Sequence, residues 1–186
     1  MVFGFLSPLW DYDFSYLGLC ILLIQTYIED CYRYTPTEQS HTNTSGTNTV
    51  PVFSDWSWDN TEDWECSYDM KLSHNSQRID LIPPSESLNH HIGIGKSDYD
   101  LNAIWIGKAT SGETRYTPQG LTVDIGSYNS FTIIKQGTTV TIKEGDTTVW
   151  SDTISWLSNY STESLKYTHW GNNRTIYIKN VKIKPL

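Results

Sequence analysis

The stretch from Asn129 to Trp150 reads NSFTIIKQGTTVTIKEGDTTVW. An alternating apolar strand ends in Lys135-Gln136-Gly137. A second strand carrying Val140 and Ile142 runs into Glu144-Gly145-Asp146, and a third carries Val149 and Trp150. Alternation with a period of two places successive side chains on opposite faces of a strand. Gly137 and Gly145 supply the positive φ that tight hairpin turns require.

The same pattern extends outward in both directions. WECSYDMKL (Trp64 to Leu72) sets Trp64, Cys66, Tyr68 and Met70 against Glu65, Ser67, Asp69 and Lys71, which predicts a half-buried strand. RIDLIP (Arg78 to Pro83), HIGIG (His91 to Gly95), NAIWIGKA (Asn102 to Ala109) and GLTVDIG (Gly120 to Gly126) are further predicted strands. RTIYIKNVKIKP (Arg174 to Pro185) closes the series. After residue 64 no apolar stripe at helical spacing is long enough for a helix, and only a brief helical turn is expected near Ser155 to Tyr160. Many short strands separated by turn residues predict an all-β, two-sheet antiparallel β-sandwich.

Three zones divide the chain. Residues 1–34 are aromatic and apolar and predict an N-terminal arm or extension, with a strand around Thr26 to Tyr34 and a route to homo-oligomers or a larger assembly. Residues 35–63 are polar, with TNTSGTNT (Thr42 to Thr49) expected as an exposed loop beside the first strands, and residues 64–186 form the sandwich core. The most apolar run, LGLCILLI (Leu17 to Ile24), is too short to span a membrane. Asp11 and Asp13 precede it and the first basic residue is Arg33, which does not fit a signal peptide.

Composition narrows the partners. Charged residues are 18% of the chain and aromatic residues 13%, with 8 Trp and 12 Tyr, so the surface is built from hydroxyls, amides and rings rather than charge. The net charge of -8 disfavours nucleic acid. Cys20, Cys31 and Cys66 form no zinc-type spacing. No cofactor is expected. DWSWDNTEDWE (Asp55 to Glu65) reads first as a hydrophilic loop, and calcium is the one cation its carboxylates leave open.

The hairpins of Asn129 to Trp150 resemble those at the centre of the concanavalin A-like lectin/glucanase superfamily, which includes laminin-G-like domains. YIKNVKI (Tyr177 to Ile183) looks like the closing strand of that jelly roll, and DWECSYDMKL (Asp63 to Leu72) looks like the early strand beside which it pairs. The resemblance spans about residues 50–186 and is one of pattern and strand order. It implies a non-catalytic binding module for a glycan or cell-surface polymer. The Thr- and Asn-rich text also resembles adhesin and viral tail modules, implying an extracellular, cell-surface or virion setting. A purely structural assembly domain is the alternative.

Hydrolases of this fold carry three carboxylates on one strand, and glycoside hydrolysis needs a close pair. The nearest text, Glu62-Asp63-Trp64-Glu65, has the wrong spacing, because Glu62 and Asp63 would point to opposite faces. There is no G-x-S-x-G nucleophile turn. Gly93 and Gly95 imitate half of a phosphate-binding loop in an all-β context and are discounted.

Aromatic residues carry the functional reading. Trp105, Tyr116, Trp150, Trp156, Tyr167 and Trp170 are candidates to stack on sugar rings, and at most two are expected to line a ligand surface. The resemblance directs attention to the concave sheet. On Asn102 to Ala109 one assignment turns Ile104 and Ile106 inward and Trp105 outward between the small Ala103 and Gly107, with His91 and Tyr116 adding polar contacts. The competing assignment buries Trp105 in the core.

Overall fold

The computed structural model describes residues 33–83, 90–108 and 112–186. The strands are β1 (Arg33–Thr35), β2 (Gln39–Asn43), β3 (Thr47–Pro51), β4 (Trp58–Asp59) and β5 (Trp64–Leu72). They continue with β6 (Gln77–Ile82), β7 (Ile92–Lys96), β8 (Asn102–Lys108), β9 (Gly112–Tyr116) and β10 (Asn129–Gln136). β11 (Thr139–Glu144), β12 (Thr147–Thr153), β13 (Thr162–Trp170) and β14 (Arg174–Pro185) complete the set, with a 3-10 turn at Ser155–Asn159.

Two seven-stranded sheets result. The first runs β1-β14-β5-β10-β11-β12, with β2 also on β14; the second runs β3-β13-β6-β7-β8-β9, with β4 also on β13. All strand pairings among the described residues are antiparallel. This is the two-sheet antiparallel β-sandwich that the alternation predicts.

β5 alternates buried and half-buried residues along its whole length. Its predicted neighbour is in place: β14 pairs with β5 through Ile176 opposite Leu72 and Ile183 opposite Cys66, with a register shift between Lys179 and Lys182. The β10–β11 and β11–β12 hairpins turn at Gly137 and Gly145, with φ of 58° and 56°. Trp64, Met70, Ile133, Ile142 and Ile178 from the first sheet meet Ile79, Leu81, Ile94 and Ile104 from the second in one core. Trp64 also donates its indole N–H to Asn60 Oδ1 at 2.9 Å, so the buried ring leaves no polar atom unpaired.

Two expectations change. Gly120 to Gly126 is not a strand; Leu121 and Val123 are buried from an irregular segment that touches Leu72 through a single bridge at Ile125. Thr42 to Thr49 is not simply a loop, because it holds the ends of β2 and β3 around a turn, and Asn43 is buried. Short polar strands alternate too weakly to stand out from loops. Alternation does not mark β13 (TESLKYTHW), because charged and polar residues interrupt both of its faces. Of the arm expected at residues 1–34, residues 1–32 lie outside the described residues, and Arg33 and Tyr34 belong to β1.

Candidate functional site

The site lies on the outer face of the second sheet. On β6, Ile79 and Leu81 enter the core, so Arg78 and Asp80 point the other way. On β8, Ile104 and Ile106 join the core while Trp105 does not, which places Trp105 on the same outer face. Gly93 of β7 pairs opposite both Asp80 and Trp105, and Arg115 of β9 pairs opposite Trp105.

These residues form one layered cluster. Arg78 is fully buried, and its Nε lies 2.8 and 2.9 Å from the two carboxylate oxygens of Asp80. Its Nη1 donates to Glu113 Oε2 at 2.8 Å. The guanidinium carbon sits 5.0 Å from the Trp105 ring centroid and 4.6 Å from that of Trp170, so the cation is held between two indoles. His91 Nε2 lies 3.0 Å from the same Glu113 oxygen. Burial raises the Glu113 pKa, but the hydrogen bond from His91 and the charge of Arg78 more than offset it and leave the carboxyl below its ordinary range.

Glycine makes the layer possible. A Cβ at Gly93 would fall 2.1 Å from Asp80 Oδ1 and 2.9 Å from Arg78 Cδ; at Gly95 it would fall 2.5 Å from Arg78 Cβ. The G-I-G of β7 therefore serves close side-chain packing, not a phosphate. A recess of about 230 Å³ opens beside the cluster, with Trp105, Trp170, Glu113 and Ser97 in its wall.

Of the residues predicted for a ligand, Trp105 and His91 meet through Arg78 and Glu113. Trp105 is not an open platform: it is 6% exposed, because Arg78 covers it. Tyr116 does not join them. It pairs opposite Ile104 and packs against the core and Trp150, on the other face of the sheet. Trp156 and Tyr167 are core residues, so Trp105 and Trp170 are the two candidate rings that line this recess.

The sequence alone does not single out Arg78, Asp80 and Glu113. A usable signal exists: Arg-x-Asp on one face of an otherwise apolar strand, with Gly-x-Gly on the next, is a buried ion pair in need of space. His90, next to His91, turns elsewhere and meets the Tyr160 hydroxyl at 2.6 Å. Asp63 accepts from the Gly137 amide, and Glu65 lies 3.3 Å from Lys184, so the two carboxylates are engaged by different partners. Among the described residues no group of three His, Cys, Asp or Glu side chains is placed to hold a metal.

No family model and no curated protein matches the sequence. Solved structures do match the fold. The carbohydrate-binding module CBM66 from Bacillus subtilis aligns over 81% of this chain and 93% of its own, with a TM-score of 0.54 and 13% identity. A Caenorhabditis elegans galectin aligns over 78% and 96%, with 0.52 and 10%. A glycosyl hydrolase family protein from Mycobacterium fortuitum aligns over 78% and 74%, with 0.50 and 9%. The chain thus shares its fold with lectins, carbohydrate-binding modules and glycosyl hydrolases.

Proposed function

We propose that this chain is a non-catalytic carbohydrate-binding module whose ligand lies on the outer face of the second sheet, against Trp105, Trp170 and Glu113. The observation that carries the reading is the recess beside the indole–guanidinium–indole layer. It offers aromatic surface for a sugar ring, and beside it stand two carboxylates, Glu113 and Asp98, the ammonium of Lys96 and the hydroxyls of Ser76 and Ser97 to accept and donate hydrogen bonds. The fold neighbours, a carbohydrate-binding module and a galectin among them, support the ligand class.

Binding is favoured over hydrolysis by the state of Glu113, which shares the recess wall with one other carboxylate, Asp98. A glycosidase acid needs a raised pKa to hold its proton. Glu113 is shifted the other way, and Asp80 is sealed beneath the sheet surface by Arg78. The setting we propose is extracellular, on a cell surface or virion, in keeping with a surface rich in hydroxyls and amides.

Affinity electrophoresis through soluble polysaccharides, with a glycan array, tests the reading. Retardation by at least one glycan, lost in Trp170→Ala and in Glu113→Gln with no release of reducing sugar, is the expected result. Silence across the panel overturns it in favour of a structural role, and reducing-sugar release abolished by Glu113→Gln overturns it in favour of catalysis.

A further inference from the structure

The outer face of the second sheet carries a second aromatic recess. It measures about 250 Å³ and is bounded by Phe53, Trp56, Ser57, Ser164 and Lys166. Phe53 and Trp56 come from the β3–β4 connection and stack at a centroid distance of 3.9 Å with 28° between their planes. Both rings are only partly buried against the core, so each keeps surface toward the recess. Ser164 and Lys166 lie on β13, one residue out of phase with the core residues Leu165 and Tyr167. This recess therefore shares its face with the first.

One strand joins the two. β13 gives Ser164 and Lys166 to the second recess and Trp170 to the first. At ~3.3 Å per residue, Lys166 and Trp170 are ~13 Å apart along it. That span exceeds a single sugar ring. Between them lie polar but buried groups: Thr168 lies on β13 opposite Arg78 on β6, and Lys166 lies opposite Asp80, with Thr168, Arg78 and Asp80 themselves buried.

We infer that the ligand is an oligosaccharide chain laid across β13, with one sugar in the Trp105–Trp170 recess and another, several units away, on the Phe53–Trp56 pair. This rests on the carbohydrate-binding reading above and adds the length of the ligand and a second point of contact. A chain that fills both recesses loses its translational freedom once, so its two contacts reinforce each other. Affinity then rises with chain length until both are occupied.

The test uses the full chain and oligosaccharides of one to eight units, cut from the polysaccharide that retards it. Affinity by calorimetry is expected to rise at least tenfold between the shortest and longest. Trp56→Ala should remove that gain while leaving the short oligosaccharides unchanged. Ser57→Tyr, at an exposed position, fills the recess without touching the core and should do the same, which covers the case in which Trp56→Ala folds poorly. Affinity independent of length, or a length gain that survives Ser57→Tyr, overturns the inference and leaves the carbohydrate-binding reading standing. No retardation by any polysaccharide overturns both.

Discussion

Nη1 of Arg78 and Oε2 of Glu113 meet at 2.8 Å although two strands, β7 and β8, lie between theirs. The reach depends on what those strands omit. β7 presents Gly93 and Gly95 to Arg78, so the side chain has room to lie along the sheet rather than stand on it. Trp105 of β8 then receives the guanidinium on its face, and His91 Nε2 closes on the same Glu113 oxygen. Four strands are tied by one side chain.

That tie has a predictable cost of removal. Arg78→Met leaves Asp80, fully buried, without its counter-charge, and breaking one partner of a buried pair costs about 3–5 kcal/mol. Arg78→Lys should recover little, because a point charge cannot reach two carboxylates as a fork does. Glu113→Gln should cost under about 1 kcal/mol, since that side chain is 38% exposed. Urea denaturation of the three variants orders them; a stable Arg78→Met would show that the pair is not strongly coupled.

Gly93→Ala is the smallest change that disturbs the same layer. Its methyl would fall 2.1 Å from Asp80 Oδ1, with Arg78 Cδ behind it, so the ion pair must shift. Overpacking of this kind costs about 1–3 kcal/mol. The double variant Gly93→Ala with Asp80→Ala should lose less than the sum, measured as a double-mutant cycle.

The sandwich was legible because β5, β10, β11 and β14 alternate cleanly, each burying one face and wetting the other. β13 hid because its outer face carries Lys166, Thr168 and Trp170 while its inner face includes Glu163 and His169, so polarity does not report orientation. The orientation of Trp105 was readable from Ile104 and Ile106 beside it. Its cover was not, because Arg78 lies 27 positions earlier and only the β6–β7–β8 pairing brings it there. Tyr116 was misplaced for the same reason: strand register decides its face, and that requires β9, which no alternation marks.

Glu163 makes the stability of the fold depend on pH. It is 1% exposed with Oε2 unpaired, and burial pushes its pKa up to about 8, against the opposing pull of Lys166 and Lys135. The folded chain therefore holds a proton that the unfolded chain releases at about 4.5. Stability from this group is full below pH 4.5 and is lost as pH rises toward 8. Glu163→Gln removes the ionisable group, so thermal melts should show the variant gaining on the parent by a few degrees between pH 5 and 8. Parallel pH curves for the two proteins would rule out the titration.

His169 works in the opposite direction. Burial, then His41 and Arg174, depress its pKa from 6.5 to about 4. Nε2 lies 3.1 Å from His41 Nδ1 and Nδ1 lies 3.2 Å from Gln77 Nε2, which ties β2 of one sheet to β13 and β6 of the other. The unfolded chain takes up the proton first, so stability falls as pH drops from 6.5 toward 4. His169→Gln should flatten that limb, read as the urea midpoint at pH 4.5 and 7. A midpoint difference equal to the parent's would assign the acid limb to other groups.

Trp105 and Trp170 flank the same cation but should respond differently to truncation. Trp105 is 6% exposed, and Gly93, Ala103 and Gly107 beside it cannot fill its place, so Trp105→Ala leaves a cavity under Arg78 and costs about 3–5 kcal/mol even though the ring lies outside the main core. Trp170 is only partly covered and is held by Arg78 at 4.6 Å, a contact worth about 1 kcal/mol near the surface. Trp170→Ala should therefore unfold at nearly the parent's urea concentration while losing retardation on the glycan that binds. Loss of stability in both variants, with retardation kept in the folded fraction, would make the two rings a structural clamp on Arg78 and move the sugar elsewhere on the sheet.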